Sequence, residues 1–461
     1  MTTSLFRQTD TILQAKTNRY EKFGFSRNPF PTKPSVTISS PDPRENGEIY
    51  LSDLRQKEQG KFEELLIPRG DRSQVRSIAF LMDYATRRGR GIGKTSFLFH
   101  QRERIMADLG NELSRGSQVL FSTYVLPQPN GVHRKFWQFC KLIMESLASD
   151  DNPIISMAMW RLRAFSGVIP DSVLEQVGES PEQTIGDDKW LQKHDVNVFF
   201  SLNNAIKRQL LGLGINEVLA DALTNYGHLP IKFQQNFLSK ISDSTWRVNG
   251  VNYLFDDLVK LFRVAGFTKG LILVDEMEKV IRPQNSKERR AFTDALRYFL
   301  IDGQCENARL SFYSFFFTIH PYIQELLNPH WEATGLDRFA ALSRELAPEY
   351  TVYFHPLDQN SARPLAKVYL DESRLSGKQE ESFAPFTTEA LDEALFKSGR
   401  VPGKYLTLLN QAVERAIKEG WETIDANEIN RVLQLKAPGE PGEKDATDAL
   451  PLAIDLGSNG N

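Results

Sequence analysis

Five apolar runs punctuate the chain: RSIAFLMDY at 76–84, SQVLFSTYV at 117–125, GLILV at 270–274, SFYSFFFTI at 311–319 and EYTVYF at 349–354. They are near-continuous rather than alternating, the pattern of strands buried on both faces of a parallel sheet. The stretches between them repeat apolar residues every three or four positions. KTSFLFHQRERIMADLG predicts a helix from about Lys94 to Leu109, HRKFWQFCKLIMESLA another, and SKERRAFTDALRYFLIDG a third. Strands alternating with helices predict an α/β fold, a parallel sheet with helices on both faces.

The spacing is uneven in an informative way. Residues 130–262 carry helical periodicity with no strand signal, so a large helical insertion is expected between the second and third strands. Within it, 164–200 is rich in Gly, Pro, Asp and Glu, which predicts a loop or extension. Beyond about 359 the pattern is helical only. Tyr405, Leu408, Leu409, Ala412, Val413, Ala416 and Ile417 form one apolar stripe. Asp425 followed by Glu428 predicts a capping box for the next helix. The expected organisation is an irregular leader at 1–70, an α/β domain at 71–358, a small all-helical domain at 359–436 and a disordered polar tail at 437–461. Phe23, Phe25 and Phe30 of the leader are expected to anchor it on the domain that follows.

Composition narrows the function classes. The 461 residues carry a formal net charge of −3, so the chain is not a globally basic nucleic-acid binder. Two cysteines with no C-x-x-C pair imply neither a zinc site nor a disulfide framework. The seven histidines show no metal-ligand spacing, and no G-x-S-x-G nucleophile elbow occurs. The longest apolar run is well short of the ~20 residues that span a bilayer. The amino terminus lacks a basic region followed by an apolar core, so a cytoplasmic protein with no membrane partner is expected.

The candidate chemistry begins at RRGRGIGKTS, 87–96, between the first strand and the first helix of the α/β domain. It ends as a phosphate-binding loop of pattern G-x-x-x-x-G-K-[ST] ends. The first glycine of that pattern falls on Arg88, and Gly89 follows one residue later. Backbone N–H groups at such a helix N-terminus face anionic oxygens. Gly89, Gly91, Ile92, Gly93, Lys94, Thr95 and Ser96 are therefore the candidate nucleotide-phosphate-binding residues. Lys94 would reach the β- and γ-phosphates and Thr95 would place its hydroxyl on Mg2+. The third strand ends in Asp275 and Glu276, at the strand edge where such sheets bind ligands. Asp275 is expected to share the Mg2+ with Thr95, and Glu276 to polarise the attacking water. The two motifs stand 181 residues apart, from Lys94 to Asp275, which again requires the insertion.

With this order of motifs the chain resembles the AAA+ P-loop ATPases, especially the origin-recognition and initiator-like branch and its bacterial relatives. The resemblance covers about 75–130 and 265–436. It implies a P-loop NTPase sheet, a helical lid, and ATP hydrolysis with Mg2+ that drives or gates assembly. It implies a polar sensor at the end of the fourth strand, where Thr318 is favoured and His320 is near. It implies an arginine finger reaching a neighbouring subunit, with Arg338 favoured over Arg344. It also implies a lid arginine in SGRVPGKYL; Gly403 stands at that position, and Arg400 or Lys404 is expected to substitute. Partners would be a second copy of the chain, a partner protein, or DNA. The alternative is a nucleotide-gated binding switch with little turnover, in DNA transactions or phage defence.

Overall fold

The computed structural model describes residues 18–37, 40–66, 78–83, 91–107, 119–149, 153–178, 181–226, 243–302, 312–343, 347–375 and 382–434. The chain forms two compact units. One comprises Ser35–Pro356, and the other joins Met1–Pro34 to Leu357–Asn461.

The larger unit is an α/β fold built on five parallel strands: β1 (Ile78–Asp83), β2 (Val119–Val125), β3 (Phe267–Val274), β4 (Tyr313–Thr318) and β5 (Thr351–Phe354). Their order across the sheet is β2-β3-β4-β1-β5. All the pairings are parallel, so every strand delivers its carboxyl end to the same edge. Leu81 pairs with Thr318, Asp83 with Phe354, Val274 with Phe317 and Val125 with Val274. β1 and β4 are buried at every position. Successive side chains alternate between two cores, as the two-residue period of a strand requires. Ala79 and Leu81 pack with Phe97, Leu98 and Phe316 on one face, and Ile78, Phe80 and Met82 pack into the larger core on the other.

The leader is not irregular throughout. Gln56–Leu66 is a helix whose Phe62 and Leu65 pack on the first of these faces. Only a few of its residues are apolar, so the chain carries little periodicity there. The stretch between β2 and β3 contains helices and no strand among its described residues. The expected loop at 164–200 contains short helices at Asp171–Leu174, Pro181–Gly186 and Asp188–Lys193. Arg163, buried to 2 %, binds Asp188 at 2.8 Å and the carbonyl of Ile185 at 3.1 Å, which ties these turns to the helix Ile154–Phe165.

The second unit is helical, with helices Gln359–Ser373, Thr388–Lys397, Pro402–Glu419 and Ala426–Gln434. Asp425 accepts from the backbone of Asn427 and Glu428, and Glu428 accepts from the backbone of Asp425, closing the capping box read in the sequence. Phe25 and Phe30, expected to anchor on the domain that follows them in the chain, pack within this unit. Phe30 packs against the rings of Tyr369 and Phe386, and Arg374 covers Phe25. Asn28 Nδ2 donates to the Asn410 carbonyl at 3.1 Å and Asn410 Nδ2 to the Phe30 carbonyl at 2.7 Å, which reinforces the join. The tail beyond 434 lies outside the described residues.

Candidate functional site

The loop that begins this site turns sharply. Gly91 (φ 85°) and Gly93 (φ 101°) both adopt left-handed backbone, which a side chain disfavours. Ile92 between them is buried, which pins the loop to the sheet. The helix Lys94–Ala107 starts immediately afterwards, so Lys94, Thr95 and Ser96 form its first turn. Gly89, with Arg87, Arg88 and Arg90, lies outside the described residues.

Across from this turn, the ends of β3 and β4 meet it. Thr95 Oγ1 donates to Asp275 Oδ2 at 2.6 Å. Tyr124, near the end of β2, donates its hydroxyl to the same oxygen at 2.8 Å. Thr318 Oγ1, at the end of β4, donates to Asp275 Oδ1 at 2.6 Å, and the Glu276 N–H reaches that oxygen at 2.9 Å. Asp275 is buried to 2 %, yet both oxygens are satisfied by four donors. Such hydrogen bonding offsets the cost of burying a carboxylate.

Glu276 has a left-handed backbone at φ 48°. Its N–H also donates to Thr318 Oγ1 at 2.7 Å. The strained conformation and the two acceptors hold the residue in one orientation. Its carboxylate forms an ion pair with Lys279. Burial pushes the neighbouring Glu278 carboxyl up to about 7. Burial and the adjacent Asp275 carboxylate raise the Tyr124 phenol well above its ordinary value, so it stays a proton donor.

Lys94 does not point into open solvent. Its Nζ donates to Asp83 Oδ1 at 2.7 Å, at the last residue of β1. Arg55, also buried, reaches the loop from the other side. It donates to the Ile92 carbonyl at 2.7 Å, the His355 carbonyl at 3.0 Å and Glu58 at 2.9 Å. The loop is thus braced between the end of β5 and the turn preceding the helix Gln56–Leu66.

The structure therefore brings together Lys94, Thr95, Asp275, Glu276 and Thr318, with Gly91, Ile92, Gly93 and Ser96 in the same turn. It adds Asp83, Tyr124 and Arg55, which the motif reading did not single out. Asp83 had a visible signal, an acid closing a buried strand just before the loop. Arg338 ends a short turn, Leu336–Arg338, and is exposed with no hydrogen bond or ion pair among the described residues. Arg344 lies outside the described residues. Lys404 is exposed on the first turn of Pro402–Glu419 in the other unit. Arg400 has a left-handed backbone, and its carbonyl accepts from Leu357. At Gly403 a Cβ would lie 2.1 Å from the carbonyl oxygen of Pro34, so the leader's backbone occupies the space that an arginine side chain there would need.

Among the described residues no group of three or more His, Cys, Asp and Glu could hold a metal alone, and no helix is long and apolar enough to cross a membrane. No family model matches the chain, and a comparison with curated proteins finds no match.

Proposed function

We propose that this chain is an AAA+-type P-loop ATPase, similar to the origin-recognition and initiator-like branch, that binds and hydrolyses ATP with Mg2+. The reading rests chiefly on the contact between Thr95 and Asp275. Two residues 180 positions apart meet at 2.6 Å, one on the first turn after a glycine loop and one at a strand's carboxyl end. Their donors are a hydroxyl and a carboxylate, a hard oxygen pair suited to Mg2+. That ion takes one or two protein ligands and completes its shell with water and phosphate. When bound, it would supply positive charge against the phosphate oxygens.

The chain's own groups have separable roles. The N–H groups of the 91–96 turn cradle the phosphates. Lys94 carries a mobile positive charge to the β- and γ-phosphates. Thr318 fixes Asp275 and the Glu276 backbone together, so the acid that polarises water and the acid that holds the ion share one support. Arg338, exposed and unpaired among the described residues, would complete the site of a second copy. Protein or DNA partners would then be gated by the nucleotide state.

One observation favours the switch reading. The Glu276 carboxylate is already paired with Lys279, which occupies the group that would orient the attacking water. Turnover separates the two. Hydrolysis predicts that wild type turns over ATP, and that Glu276→Gln binds ATP but loses turnover about 100-fold or more. A wild type that binds ATP with negligible turnover at every protein concentration supports the switch. A wild type that does not bind ATP overturns both.

A further inference from the structure

The nucleotide reading gives Asp83 no task, yet Asp83 holds the residue that reading needs most. It closes β1, its side chain is 1 % exposed, and it takes Lys94 Nζ at 2.7 Å. Its second oxygen, Oδ2, is buried with no hydrogen bond among the described residues. Arg55 and His320 are the other charged or titratable groups that act on it. Burial raises the Asp83 pKa, and Lys94 pulls it back by charge and by hydrogen bond. A carboxylate in such a place depends on its cation, because an unpaired buried charge is far costlier than a paired one. The loop is free to present Lys94 elsewhere only if that pairing is given up.

We propose that Asp83 is a latch on Lys94: it holds the lysine against the end of β1, and a polyphosphate must take the lysine from it to bind. This rests on the nucleotide reading above. Asp83 acts through Lys94, so it is a positioning residue that sets affinity and is not itself a phosphate ligand. The latch discriminates by phosphate number. ATP and ADP present the β-phosphate that Lys94 reaches, whereas AMP lacks it and cannot compete for the lysine.

The test is equilibrium binding of ATP, ADP and AMP to full-length wild type, Asp83→Asn, Lys94→Ala and the double variant, with thermal melting of each. Asn keeps the shape and a hydrogen-bond acceptor while removing the charge. The latch predicts that Asp83→Asn binds ATP and ADP about tenfold tighter than wild type. It predicts that AMP affinity is unchanged, and that the gain vanishes in the Lys94→Ala background. Unchanged or weaker ATP binding in Asp83→Asn overturns the latch while leaving the nucleotide site standing. So does an equal gain for AMP, which would indicate a general loosening of the loop. No binding of ATP to wild type or Asp83→Asn overturns the nucleotide reading itself. Should Asp83→Asn melt well below wild type, Asp83→Ser supplies the same comparison with less bulk.

Discussion

Two aspartates close two strands of one sheet and sit within one site, and they are treated differently. Asp275, at the end of β3, receives four hydrogen bonds from Thr95, Tyr124, Thr318 and the Glu276 backbone. Asp83, at the end of β1, has Lys94 on one oxygen and no hydrogen bond on the other among the described residues. Both are almost fully buried. The first is held by fixed donors on three other segments. The second is held by the end of a long, rotatable side chain. Fixed donors make a rigid support; a lysine makes a contact that can be exchanged. One site thus contains a permanent acid and a conditional one.

The largest way to break the contrast is to remove the permanent acid. Asp275→Ala leaves three hydroxyls without that acceptor in a buried place and the Glu276 N–H with Thr318 Oγ1 alone. Each hydrogen bond to a charged group contributes on the order of 1.5–3 kcal/mol, and the losses are not additive. We expect a loss of about 3 kcal/mol or more in unfolding free energy, read by denaturant titration, together with loss of ATP turnover. A loss below about 1 kcal/mol would show that Asp275 is not the fixed member of the pair.

A third buried charge extends the series. Lys269 of β3 is 8 % exposed and has no hydrogen bond or ion pair among the described residues. Burial pushes its pKa down from 10.5 to about 8. A lysine whose folded pKa is depressed carries its full penalty below about 8, where both states are protonated. Between about 8 and 10.5 the unfolded chain holds the proton and the folded chain does not, so stability rises with pH there. The shift corresponds to about 3 kcal/mol, an upper bound because water penetration and relaxation reduce it. Lys269→Met is therefore expected to stabilise the protein near pH 7, and its advantage should shrink toward pH 10.5. Melting curves across that range check both. A destabilised Lys269→Met at pH 7 would mean that the lysine is paired and belongs with Asp275.

Much of this was legible in the sequence, for a local reason. Strands buried on both faces need apolar residues at nearly every position, so β1 and β4 announce themselves. The glycines of the loop and the acids after β3 sit at strand ends, and their residue types are tied to backbone conformation and hydrogen bonding. What could not be read depends on distant partners. Phe30 leaves no sign that it packs with Tyr369 and Phe386, nor Phe25 that Arg374 covers it, more than 300 residues away. Gly403 looks like a departure from a motif until the Pro34 carbonyl is found in the way. The helix Gln56–Leu66 shows too few apolar positions to stand out. Asp83 was visible as an acid after an apolar run, but its pairing depends on where the loop returns Lys94.

The finest test separates support from chemistry within the fixed half. Tyr124 shares Asp275 Oδ2 with Thr95. Tyr124→Phe removes one donor and leaves the ring, which packs edge-on against Phe99. The oxygen keeps the Thr95 hydroxyl, so the cost should be small, about 1 kcal/mol in denaturant unfolding. The effect on ATP is expected in turnover and not in affinity, because Lys94 and the loop N–H groups are untouched. A several-fold fall in turnover with unchanged ATP binding would place Tyr124 among the groups that orient Asp275. Weakened binding with normal turnover would mean instead that the phenol contacts the nucleotide, and that three donors suffice to fix the carboxylate.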